Sequence, residues 1–184
     1  MKIIKNCILL VLLLLASCAG SVRESLRADY SDESYTHYIL AVEAEQEYKW
    51  EEALKQMKLA LKEDPGSSYL KTEISQLYLR MNRLEDAVKT AEEVIQKAPG
   101  YEPALSLLAR LYSSQKSFKK AINMYSKVIK NDPSKVEAYI HLAYMYTLDD
   151  QRDKAVQVLK DAINLEPYNA MARYYLGRIY IESK

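Results

Sequence analysis

The stretch YLKTEISQLYLRMNRLEDAVKTAEEVIQKAPG, residues 69–100, decides the fold. Its first part, YLKTEISQLYLR (69–80), and its second, EDAVKTAEEVIQ (85–96), both carry apolar residues three and four apart, the spacing of a helix with one buried face. Pro99 closes the unit, because proline has no N–H with which to continue a helical hydrogen-bond ladder. The same punctuation recurs along the chain. Pro65, Pro99, Pro133 and Pro167 fall 34 residues apart, in KEDPG (62–66), QKAPG (96–100), KNDPS (130–134) and NLEPY (164–168).

Columns in register with those prolines repeat as well. Taking residues 34, 68, 102 and 136 as first positions, position 7 reads Leu40, Ile74, Leu108, Leu142 and, in a partial fifth unit, Leu176. Position 8, where a small side chain lets two helices approach, reads Ala41, Ser75, Ala109, Ala143 and Gly177. Position 11 reads Ala44, Tyr78, Tyr112, Tyr146 and Tyr180. Position 20 is Ala53, Ala87, Ala121 and Ala155; position 24 is Met57, Ala91, Tyr125 and Leu159; position 27 is Ala60, Val94, Val128 and Ala162. This period and these columns resemble the tetratricopeptide (TPR) repeat over residues 34–184. The resemblance implies an all-α superhelix of stacked helix pairs, with repeats 34–67, 68–101, 102–135 and 136–169 and a partial unit at 170–184. Polar links such as SSQKS (113–117) and LDDQR (148–152) join the helices within a unit. Ser134 with Glu137 predicts a capping box for the fourth unit, and Asn169 is placed to cap the fifth. The tyrosine-rich YNAMARYYLGRIYIESK (168–184) is the first helix of a fifth unit without its partner, read as a capping helix or as an interrupted longer chain.

The amino terminus carries a different pattern. Lys2 and Lys5 precede an unbroken apolar run from Ile8 to Ala16, too short for a stable span of roughly 20 residues. Leu15-Ala16-Ser17-Cys18 resembles the lipobox of bacterial lipoproteins. That resemblance implies a signal peptide at 1–17 that is cut off, with Cys18 acylated as the membrane anchor. More than one acyl chain is needed for stable anchoring. Residues 18–33 then form a lipidated cysteine and tether. Ala19 stands where aspartate would signal inner-membrane retention, so the expected location is the periplasmic face of the outer membrane.

Composition narrows the function. Without the signal peptide the chain keeps 24 Lys+Arg against 25 Asp+Glu, and no basic block stands out, so no nucleic-acid partner is expected. Cys7 falls in the discarded segment and Cys18 is occupied, which excludes an intrachain disulfide and a cysteine metal site. His37 and His141 sit in different units, at positions 4 and 6, and read as packing or surface residues. No nucleophile elbow, zinc-helix motif or phosphate-cradling glycine loop occurs. We therefore expect no enzyme, catalytic residue, metal site, cofactor or small-molecule substrate.

Binding remains. By resemblance, positions 2, 5, 9 and 12 of each first helix line a concave groove that holds a protein or peptide partner. They read Tyr35, Tyr38, Val42, Glu45; Tyr69, Thr72, Gln76, Leu79; Pro103, Ser106, Arg110, Ser113; Glu137, Ile140, Tyr144, Thr147; and Met171, Tyr174, Arg178, Ile181. From these, Tyr35, Tyr38, Tyr69, Gln76, Arg110, Tyr144, Tyr174 and Arg178 are the candidate contacts, since tyrosine and arginine dominate interface hot spots. Tyr78, Tyr112, Tyr146, Tyr180, Tyr125 and Tyr139 are instead assigned to packing. The terminal-carboxylate clamp of one TPR subclass needs Lys at position 5 and Asn at position 9, and Tyr38 and Val42 stand there in the first unit. The layout resembles pilotin-like lipoproteins of type IV pilus biogenesis, which implies an adaptor in secretin assembly. Adaptors for outer-membrane protein insertion or cell-wall hydrolases, or the front of a longer enzyme, are the alternatives.

Overall fold

A computed structural model describes residues 32–182. The signal segment, Cys18 and nearly all of the tether lie outside the described residues. All regular structure among those described is helical: α1 (Asp32–Gln46), α2 (Trp50–Glu63), α3 (Ser68–Arg80), α4 (Leu84–Lys97), α5 (Glu102–Ser114), α6 (Phe118–Asn131), α7 (Val136–Leu148), α8 (Arg152–Leu165) and α9 (Ala170–Glu182). The chain divides at Ser67/Ser68 into two compact units. The first holds the pair α1–α2; the second holds α3 to α9, three pairs in chain order with α9 appended.

Two recurrent turns set this pattern. The helix–helix turn within each pair places Tyr48, Asn82, Lys116 and Asp150 at φ 57–58°. The following N–H groups of Lys49, Arg83, Ser117 and Gln151 reach back to the carbonyls of Ala44, Tyr78, Tyr112 and Tyr146 at 2.8–2.9 Å. That left-handed residue with its long back-bond terminates a helix and satisfies a carbonyl the helix leaves open. No glycine occupies any of the four sites, so Tyr48 and Lys116 adopt a conformation that costs an L-residue about 1–2 kcal/mol. At the other turn the second helices stop two residues before each proline. Asp64, Ala98, Asp132 and Glu166 take φ between −126° and −135° and ψ between 77° and 92°. A following proline pushes its predecessor out of the helical region, which is why the stop is so regular.

The small columns form the core. Ala53, Ala87, Ala121 and Ala155 are wholly buried, as are Ala41, Ser75, Ala109 and Ala143. Ser75 Oγ donates to the Ala87 carbonyl at 2.7 Å, placing position 8 of one helix directly against position 20 of its partner. In the first unit Ser34 Oγ similarly donates to the Ala60 carbonyl at 3.0 Å across α1 and α2. The last pair and α9 close around Val136, Ile140, Leu159, Ala162, Ala172 and Ile179.

Several expectations require correction. The capping box at Ser134 does not form: Lys135 is the cap residue of α7, and Ser134 Oγ donates to Asp132 Oδ1 at 2.6 Å. Asn169 does cap α9, its Oδ1 accepting the Ala172 N–H at 3.0 Å. Gly177 is not small for packing, since a Cβ there would meet no atom within 4 Å. Tyr180, assigned to the core, is half exposed, because no second helix follows α9 among the described residues. Leu40 is exposed likewise, with no described helix preceding α1.

A candidate protein-binding groove

In the second unit the first helices α3, α5, α7 and α9 present equivalent positions. Position 9 supplies Gln76, Arg110, Tyr144 and Arg178, and the flanking positions supply Tyr69 and Tyr174. Tyr69, Arg110, Tyr144, Tyr174 and Arg178 are exposed, whereas Gln76 is half-buried and donates to Glu73 Oε1 at 2.9 Å. Thr72 and Ile140, both at position 5, are buried and line no groove. The Thr72 hydroxyl instead turns back to the Ser68 carbonyl at 2.7 Å. Tyr35 and Tyr38 belong to the first unit, where Tyr35 is exposed and Tyr38 half-buried.

Two clusters emerge on this face. One joins α7 to α9: the rings of Tyr144 and Tyr175 are 5.9 Å apart, and Tyr174 meets Tyr175 edge-on at 5.5 Å. The Arg178 guanidinium lies 5.9 Å from the Tyr174 ring centre and pairs with Glu182 at 3.0 Å. Three predicted residues are thus brought together through Tyr175, which the position columns did not select. The other cluster joins α5, α6 and α7. His141 stacks on Tyr125 with ring centres 5.3 Å apart and planes 19° from parallel, beside the charge of Arg110.

The electrostatics of this second cluster follow from partial burial. Burial lowers the His141 pKa, the Arg110 charge lowers it further, and Glu137 opposes them. Burial raises the Tyr125 pKa despite the pull of Arg110. At neutral pH the cluster therefore holds a neutral imidazole, a protonated phenol and one guanidinium. His141 was predicted only as a packing or surface residue; its place one turn before Tyr144 on α7 was the available signal. Its companion His37 is half-buried in the first unit, its Nδ1 2.8 Å from Gln56 Oε1.

The groups present suit binding. Among the described residues no set of three or more His, Cys, Asp or Glu side chains converges as a metal site. The best-organised carboxylate is structural. Burial pushes Glu102 up, but Lys135 Nζ and Ser106 Oγ, each donating at 2.6 Å, outweigh it and hold the carboxyl below its usual range.

Family models described as tetratricopeptide repeat match residues 44–111, 86–143 and 136–169. The chain belongs to the tetratricopeptide repeat family. A comparison with curated proteins finds no match. Among solved structures, it is similar to MamA 41-end from Desulfovibrio magneticus RS-1, with TM-score 0.73 and 18% identity over 83% of this chain and 86% of that one. It is also similar to a tetratricopeptide repeat protein from Parabacteroides merdae ATCC 43184, with TM-score 0.73 and 17% identity over 78% and 57% of the two chains. At such identities the likeness concerns the fold. The TPR family is of the non-catalytic scaffold type, and this chain is a TPR protein-binding module. None of its described helices is long and apolar enough to cross a membrane.

Proposed function

We propose that this TPR protein is a lipid-anchored adaptor on the periplasmic face of a bacterial outer membrane, holding an extended peptide or helix of an envelope partner in its groove. The observation that carries the binding role is the exposed run of Arg110, Tyr144, Tyr174 and Arg178 at successive first-helix positions of one unit. Tyrosine offers a large rigid contact with a polar tip, and arginine offers forked donors, a pairing that suits recognition more than solvation. The anchor reading is supported by the basic start, the short apolar run and LASC (15–18). A role in type IV pilus or secretin assembly is the narrower form of this reading, supported by the lipoprotein-plus-repeat layout.

The test has two arms. The Cys18→Ser variant should leave the membrane fraction, and its retention there refutes the anchor. In crosslinking pull-downs, Arg110→Ala/Tyr144→Ala/Tyr174→Ala should lose the partners held by the parent chain while its helical circular dichroism is unchanged. Retained partners would move the interface off the groove.

A further inference from the structure

The lysines of α6 are scattered in the sequence, at 119, 120, 127 and 130, but the helix gathers them. At about 100° per residue they fall within an arc of roughly 100°, on one face about 17 Å long at 1.5 Å per residue. Asn123 is the other residue in the middle of that face. Residues 113–131 contain no Asp or Glu. Lys119, Lys120 and Lys130 are exposed and Lys127 is half-buried, and Lys116, in the turn before α6, is exposed as well. No Asp or Glu pairs with any of them among the described residues, and only Lys120 makes a ring contact, 5.0 Å from the Tyr112 ring centre. Two carboxylates nearby are already engaged. Tyr112 donates to Glu92, and Asp132, just past the helix, accepts both the N–H and the hydroxyl of Ser134. The other second helices differ: α4 carries Glu85, Asp86, Glu92 and Glu93, and α8 carries Asp153 and Asp161 among its basic residues.

The geometry points to this face as a docking surface for an anionic phospholipid bilayer. Four like charges held together repel one another, and an anionic surface relieves that repulsion. The choice of residue favours a membrane over a protein. The face is all lysine, a hydrated point charge on a flexible stem, with no arginine fork and no exposed aromatic interleaved. Such a set suits a diffuse negative surface, where each lysine near the headgroups contributes about 1 kcal/mol. The inference draws on the envelope reading above only for where such a surface lies. A tether at Cys18 would raise the local concentration of this face at the bilayer, adding a second signal to the acyl anchor.

The experiment is vesicle co-sedimentation of the full chain carrying Cys18→Ser, so that acylation has no part in the outcome. It is run with and without Lys119→Gln/Lys120→Gln/Lys127→Gln/Lys130→Gln. The vesicles are phosphatidylcholine alone or with three parts in ten phosphatidylglycerol. The apolar amino-terminal segment contributes equally to both proteins and cancels in the comparison. The parent should partition to the anionic vesicles more strongly than to the neutral ones. The four substitutions should cut that preference by roughly 100-fold or more. Half-molar salt should abolish the preference of the parent, since it screens exposed charges beyond a few ångström. An unchanged preference in the substituted protein overturns the proposal. So does a parent with no preference, an outcome that leaves an acidic protein as the partner of this face and the anchor and groove readings untouched.

Discussion

Replacing Ala121 by leucine tests the register of the whole array. Ala121 lies one turn into α6 and is wholly buried. Its counterpart Ala87 shows how close the neighbouring helix comes, its carbonyl taking a 2.7 Å hydrogen bond from Ser75 on α3. At the level of Ala121 the small residue opposite is Ala109, also wholly buried. Leucine adds three carbons between helices spaced for two methyl groups, so α5 and α6 must part or the side chain must leave its preferred rotamer. Overpacking of this kind costs about 1–3 kcal/mol. For a chain of this size each kcal/mol moves the midpoint by roughly 2–4 °C, which gives a fall of about 2–12 °C. Stacked repeats can unfold in parts, so urea unfolding followed by circular dichroism should accompany the thermal melt. Ala170→Leu, at the exposed start of α9, serves as the control and should stay within about 0.5 kcal/mol. An Ala121→Leu protein as stable as its parent would mean that the two helices do not meet there, and the register argument would fail.

Two further outcomes follow from the same packing. Gly177→Ala should stabilise the protein by about 0.5–1 kcal/mol, because α9 gains helix propensity and the new methyl group meets no atom within 4 Å; a lowered melting temperature would show that something covers this site. His141 makes stability depend on pH, and the sign is fixed by its lowered pKa. The unfolded chain binds the proton more readily than the folded one, so the contribution is complete above the ordinary histidine pKa and is lost as pH falls from there through the lowered folded-state value. The parent should therefore lose more of its melting temperature between pH 7.5 and pH 5 than His141→Gln, and equal losses would refute the lowered pKa of that imidazole.

Much of the architecture was legible because the repeat states each rule several times over. One Pro65 is a turn, but four prolines at one interval locate every second-helix end, and the coordinates place those ends two residues before each proline. The alanine column likewise announced the tight crossings later found at Ala53, Ala87, Ala121 and Ala155. The consensus misled where local competition intervened or where no described neighbour packs on the helix. The Ser134 hydroxyl turns to Asp132 as a donor instead of accepting a backbone N–H of α7. Gly177, Tyr180 and Leu40 keep their column positions where no described helix covers them. The position columns name Arg110, Tyr144, Tyr174 and Arg178, which are exposed, yet Thr72 and Ile140 from the same columns are buried, while His141 and Tyr175 make ring contacts on this face. A column records the angle of a side chain about its own helix, whereas exposure depends on which neighbours flank that helix.

The amino-acid sequence by itself determined the helix pairs, their boundaries and their register, because proline, alanine and apolar spacing act over one or two turns of backbone. It also carries whatever can be said about Cys18. Only the tertiary structure decided which side chains meet. Helical winding turned four separated lysines into one charged face on α6, and the packing of α5 to α7 stacked His141 on Tyr125 beside Arg110. The physical reason is range: turns and helix ends are settled by neighbours a few residues away, while charge clusters and ring contacts are settled by distances through space that the order of residues does not state.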